Sequence, residues 1–169
     1  KETGVFHVPL RVLHVGRITP IKNLDILIDA AHLLLHKHYM RVSVTCIGKP
    51  ANSYDEEYFK KLKEKITHYN LDDSFSFIGS VPYQEIPRYY READISVNLT
   101  PTGGMDKAVL ESIASGTLAL SANKAFKDFF GACAEFLLYN ERDAESVASK
   151  VIAIERVGPS SREKIEDSL

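Results

Sequence analysis

Two stretches of this 169-residue chain carry residue types suited to a phosphorylated, polyhydroxylated molecule. In "GRITPIKN", Gly16 and Arg17 stand shortly before Lys22. An arginine fork and a compact ammonium are the two cationic side chains that suit phosphate oxygens. In "TPTGGMDKAVLESIASGT", residues 100–117, the hydroxyls of Thr100 and Thr102 precede a run of Gly103, Gly104 and Met105. A glycine pair just before a helix lets a ligand approach backbone N–H groups with no side chain in the way. Glu111 follows in that helix, and its carboxylate could accept two hydrogen bonds from a vicinal diol. Each feature has a plainer explanation. Single basic loop residues are mostly solvated, and Glu111 could pair with Lys107, although Lys before Glu is the weaker order and gives only about 0.2–0.5 kcal/mol. Spacing leaves both explanations open. A third, weaker signal is "IGKP", where Gly48 and Lys49 follow an apolar run and a strand terminator is explanation enough.

Other chemistries lack their residues. The glycines are not followed by the Lys-Ser/Thr of a phosphate-binding P-loop, nor do they match the dinucleotide fingerprint. No nucleophile elbow is present and no Ser-His-Asp or Cys-His set can be assembled. His14, inside an apolar run, reads as a satisfied core residue. His32 and His36 share i,i+4 spacing without a third ligand, so no metal site is expected. Cys46 and Cys133 lie among apolar residues and read as small buried hydrophobes, which fits a reducing compartment. The formal charge of −2 and the lack of a basic stripe argue against a nucleic-acid partner. No apolar run approaches the ~20 residues of a membrane span.

The elements that must hold these residues follow from hydrophobic period. Apolar and β-branched runs predict strands at 11–16, 41–48, 74–79, 94–100, 117–122 and 134–139. Helical spacing predicts helices at 23–38, 54–69, 106–115 and 143–157, with a shorter one at 83–93 interrupted at Pro87. Within it, Tyr89 reads as core and Tyr90 as surface. Strands of low polarity alternating with helices imply an α/β fold: a Rossmann-like, doubly wound parallel sheet of about six strands with helices on both faces. Ligands of such folds sit at the carboxyl ends of the strands, where the decorated loops fall. The division reads as a linker over 1–10, one domain over 11–157 and a tail over 158–169.

The ordered set "LHVGRITPIKNLDILIDAA", "VTCIGKP", "SFIGSVPYQEIPRYYREADISVNLT" and "GGMDKAVLESIASGT" resembles the C-terminal, nucleotide-sugar-binding half of GT-B glycosyltransferases, and is most like the retaining family four, group 1. The resemblance covers about residues 10–155. It implies transfer of a sugar, with retention, from a nucleoside diphosphate sugar to a hydroxyl acceptor, without a metal or other cofactor. It assigns Gly16, Arg17 and Lys22 to the donor diphosphate, with Lys49 nearby. Phe77, Ile78, Gly79 and Val81 fall to the base, and Glu111, second glutamate of an E-x7-E motif, to the ribose. The first glutamate's place is held by Gly103, beside Thr102, Gly104 and Met105. The acceptor site is expected on a missing N-terminal domain, so the isolated chain should transfer little sugar. A cytoplasmic protein is implied, with peripheral docking on a membrane to reach a lipid-linked acceptor left open. A non-catalytic nucleotide-sugar-binding module or partner subunit and a GT-B epimerase are the alternatives.

Overall fold

The computed structural model describes residues 9–156, so the expected tail and nearly all of the expected linker lie outside the described residues. Five parallel strands form one sheet in the order β3-β2-β1-β4-β5. They are β1 (Leu10–Val15), β2 (Val42–Ile47), β3 (Phe75–Gly79), β4 (Ile95–Asn98) and β5 (Leu118–Ser121). Between them run α1 (Leu24–His38), α2 (Ser53–His68), α3 (Ile86–Glu92) and α4 (Lys107–Ala114). After β5 come the single turns α5 (Lys127–Phe130) and α6 (Ala134–Leu137), then α7 (Ala144–Arg156).

The chain winds outward from β1 through β2 to β3, then crosses back to lay β4 on the other side of β1. That reversal creates a crevice between the carboxyl ends of β1 and β4, the place where open α/β sheets receive ligands. Side chains alternate across the sheet, as a strand's two-residue period requires. Leu10 and Val12 of β1 join the larger core with α1 and α7, whereas Leu13 and Ile47 pack with Tyr90 and Ala93. Both cysteines are buried, and no disulfide joins them.

Three expectations change. The segment expected as a sixth strand makes one helical turn, Ala134–Leu137, and then a single parallel bridge from Leu138 to Ser121. Cys133 and Leu137, both buried, lie four residues apart, and a short apolar run serves a buried turn as well as a strand. Tyr90 is the buried tyrosine and Tyr89 the half-buried one; the Tyr90 hydroxyl donates to the Ala108 carbonyl at 2.9 Å. Pro87 does not interrupt a helix. It sits in the first turn of α3, where its missing N–H costs nothing.

Candidate functional site

The loop after β1 is held down on the end of β2. The Gly16 amide donates to the Ile47 carbonyl at 2.9 Å, and that of Ile18 to the Lys49 carbonyl at 3.2 Å. The approach is so close that a Cβ on Gly48 would lie 1.9 Å from the Gly16 carbonyl oxygen, and Gly48 has φ +137°, which side chains rarely adopt. "IGKP" is therefore a packing requirement as well as a strand end. The chain then turns through Pro20–Lys22, and buried Asn23, at φ 45°, donates to the Leu99 carbonyl at 3.1 Å. This ties the β1 loop to the end of β4, across the crevice.

Lys22 makes the same crossing with its side chain. Its Nζ donates to Thr100 Oγ1 at 2.8 Å and to Asp106 Oδ2 at 2.9 Å. Asp106, the N-cap of α4, also accepts from Asn98 Nδ2 at 2.9 Å and Thr100 Oγ1 at 2.8 Å. Burial alone would raise its pKa, but the bonds from Asn98, Lys22 and Thr100 outweigh it and hold the carboxyl at about 2. The ammonium is thus locally compensated. Arg17 is exposed, and its guanidinium has neither hydrogen bond nor ion pair among the described residues; its Cα lies beside Gly48. Lys49 is exposed at the same edge.

Beneath this bridge lies His14, buried in β1 with Nδ1 3.2 Å from the Val97 carbonyl. That contact assigns the ring proton to Nδ1 and leaves Nε2, which is buried without a partner, as an acceptor. Nε2 is 3.4 Å from where a Gly16 Cβ would stand, with the Lys22 stem beside it. Burial is the main cause that lowers the His14 pKa to about 4; Lys22 adds to it, against the Val97 bond. The histidine is in the core as expected, but only half satisfied.

Across the crevice the glycine pair is built into a clamp. Thr102 gives its amide (2.8 Å) and hydroxyl (2.5 Å) to Glu141 Oε1, and the Gly103 amide reaches Asn123 Oδ1 at 3.3 Å. Asn123 Nδ2 donates to the Gly104 carbonyl at 2.8 Å. Met105 is exposed. Glu111, half-buried in α4, accepts from the Tyr83 hydroxyl at 3.3 Å, and no ion pair with Lys107 forms among the described residues. On the β3 side, Ile78 is exposed, Gly79 takes φ +82°, and Val81 packs against the smaller core. The Phe77 ring is engaged edge-on with Phe59 of α2, centroids 4.8 Å apart.

Lys22, Thr100, Asp106 and the glycine loop therefore meet at the switch point, with Glu111 one helix turn further and Ile78 and Gly79 along the β3 rim. Asn98, Tyr83 and Glu141 leave no signal in the sequence because each acts through a tertiary contact; Asp106 and Asn123 have a local one, as N-caps, but their contacts across the site are tertiary too. Chemically, the crevice offers cations at one wall, bare amides at the other and a carboxylate beyond.

The chain shares its fold and its family with known proteins. The chain is 24% identical over 152 residues to the GDP-Man:Man(3)GlcNAc(2)-PP-Dol alpha-1,2-mannosyltransferase of Caenorhabditis elegans, covering 85% of this chain and 32% of that one. Its fold matches the C-terminal domain of a glycosyl transferase group 1 family protein from Francisella tularensis, with a TM-score of 0.73 at 24% identity over 92% of this chain and 77% of that chain. It also matches HepE of Anabaena, solved with UDP and glucose, with a TM-score of 0.75 at 18% identity over 94% of this chain and 41% of that chain. The chain spans between 24% and 32% of the length of the first two curated relatives it matches. Residues 1–168 match the family described as glycosyl transferases group 1, and the chain belongs to that family.

Proposed function

We propose that this chain is the donor-binding domain of a retaining glycosyltransferase that moves a sugar from a nucleoside diphosphate sugar to a hydroxyl acceptor. One observation carries the reading: Lys22 reaches across the strand switch point to Thr100 and Asp106, beside a glycine pair that precedes α4. A diphosphate lying there would meet Arg17, Lys22 and the amides at the start of α4, and the negative charge that grows on it as the sugar leaves would be stabilised by groups already in place. Glu111 would take the ribose hydroxyls, with the β3 rim at the base. HepE, of the same fold, is described with UDP and glucose, which supports a nucleotide here without identifying its base. No metal is invoked.

The test is binding. Thermal stabilisation across a panel of nucleoside diphosphates and their sugars identifies the ligand, since one that binds only the folded state raises stability by mass action. Against the best of them, R17A and K22A should each weaken binding by about 1.5–3 kcal/mol, the value of a charge-assisted contact. E111Q should weaken nucleotide binding more than binding of inorganic diphosphate. Equal affinity in folded variants and parent would overturn the assignment. Gly103, where relatives are expected to carry an acid, favours one other reading, a non-catalytic nucleotide-sugar-binding subunit. Turnover by the full-length protein with any donor would exclude it.

A further inference from the structure

We propose that Asn123 and Glu141 are positioning residues of this site: together they consume the amides of Thr102 and Gly103 and turn those of Gly104 and Met105 toward an incoming diphosphate. The inference rests on the donor-site reading above but concerns residues outside the sequence motifs.

Asn123 is wholly buried at the carboxyl end of β5, and its side chain has one workable orientation. Oδ1 accepts from the amides of Gly103 at 3.3 Å and Ala125 at 2.9 Å, while Nδ2 donates to the Gly104 carbonyl at 2.8 Å. Reversing the amide would set donor against donor and acceptor against acceptor. Its own amide is fixed by Ser121 Oγ at 3.1 Å. From the other side, Glu141 Oε1 takes both the amide and the hydroxyl of Thr102, whose oxygen in turn accepts the Lys124 amide at 3.1 Å. The glycine loop is thus gripped at successive peptides by two residues from beyond β5.

The planarity of the peptide bond gives this grip a direction. In a trans peptide the carbonyl and the following N–H point opposite ways. Pinning the Gly104 carbonyl to Asn123 therefore sends the Met105 N–H away from Asn123, at a residue that is 50% exposed. Neither the Gly104 nor the Met105 amide has a partner among the described residues. Nor does the fold itself demand glycine here. Gly104 has no positive φ and nothing within 4 Å of an added Cβ; for Gly103 the nearest atom is the Pro101 carbonyl oxygen at 3.9 Å. What the missing side chains leave clear is the approach to the outward Met105 amide and to the unpartnered Gly104 amide beside it. Polarity follows too: the Glu141 carboxylate stands at the Thr102 end, whereas the Asp106 carboxylate at the other end is paired with Lys22, so an anion meets less repulsion on the Met105 side.

The experiment is titration of the ¹⁵N-labelled 169-residue chain with inorganic diphosphate and, in parallel, UDP. The Gly104 and Met105 amide resonances should move, and those of Thr102 and Gly103, already bonded, should move little. E141A should bind about tenfold more weakly, and E141Q, which keeps the acceptor oxygen, within about twofold of the parent. N123D keeps the acceptor for Gly103 but faces the Gly104 carbonyl with an oxygen, and should lose at least about tenfold. If N123D fails to fold, the parent's amide map and the surface pair E141A and E141Q still decide. Equal shifts at all four amides, parent-like affinity in folded E141A, or an E141Q as weak as E141A would overturn the inference. A parent that binds neither ligand would overturn the donor-site reading itself, and this inference with it, a different pattern from any of those.

Discussion

His14 and Asp106 contribute to the acid response of the molecule in separate windows. A buried neutral histidine, with its folded pKa lowered from 6.5 to about 4, contributes stability that is complete above pH 6.5 and is lost as pH falls toward 4. Asp106, lowered from 3.8 to about 2, contributes stability present above pH 3.8 and lost only as pH falls toward 2. The histidine therefore acts first. Urea unfolding followed from pH 7 to 4 should show a loss on the order of 3 kcal/mol from this group, and H14Q should flatten that slope while leaving the fall below pH 4 in place. An unchanged slope in H14Q would mean that the imidazole is not what senses acid. At this scale the sequence is partly legible. Arg17, Lys22 and Glu111 stand out by residue type, yet no spacing says that Lys22 is committed to Asp106, because the two are brought together only by the crossing from β1 to β4.

The glycines separate by the element they end. Gly48, at φ +137° with the Gly16 carbonyl oxygen 1.9 Å from the place of an added Cβ, belongs to the packing of β1 on β2, and G48A should cost at least about 2 kcal/mol in thermal or urea unfolding. Gly103 and Gly104 belong to the ligand: G103A and G104A should leave stability unchanged or raise it by about 0.4–1 kcal/mol, while weakening nucleotide binding. A destabilised G104A would tell against that division. The strands and long helices are legible because each is continuous in sequence and carries its own period, as in the buried Leu24, Leu27, Ile28, Ala31 and Leu34 of α1. Residues 134–139 are not, since a short, mostly apolar run fits a strand or a turn equally well and only the packing of Leu137 chooses. Tyr90 defeats the sequence for a related reason: a tyrosine can be buried when its hydroxyl has a carbonyl to meet, and the Ala108 carbonyl lies in another helix.

As a whole, the molecule is one doubly wound unit whose crevice opens at one rim of the sheet, and no helix among the described residues is long and apolar enough to cross a membrane. The reading proposed above expects the 169-residue chain to bind a nucleoside diphosphate and to transfer no measurable sugar alone; turnover by the chain in a coupled diphosphate-release assay would show that the acceptor half is not needed. The bridge between Lys22 and Asp106 has a consequence at this scale. Seen from a distance the pair is nearly neutral, so the exposed Arg17 and Lys49 are the cations at this edge whose field reaches into solvent. Raising ionic strength from about 0.01 to 0.15 M shortens the screening length from about 30 to about 8 Å. The parent's association with a diphosphate should slow over that range, R17A should lose part of the dependence, and K22A/D106N, which removes the neutral pair as a whole, should keep it: long-range capture falls to the exposed cations, and Lys22 acts only on arrival.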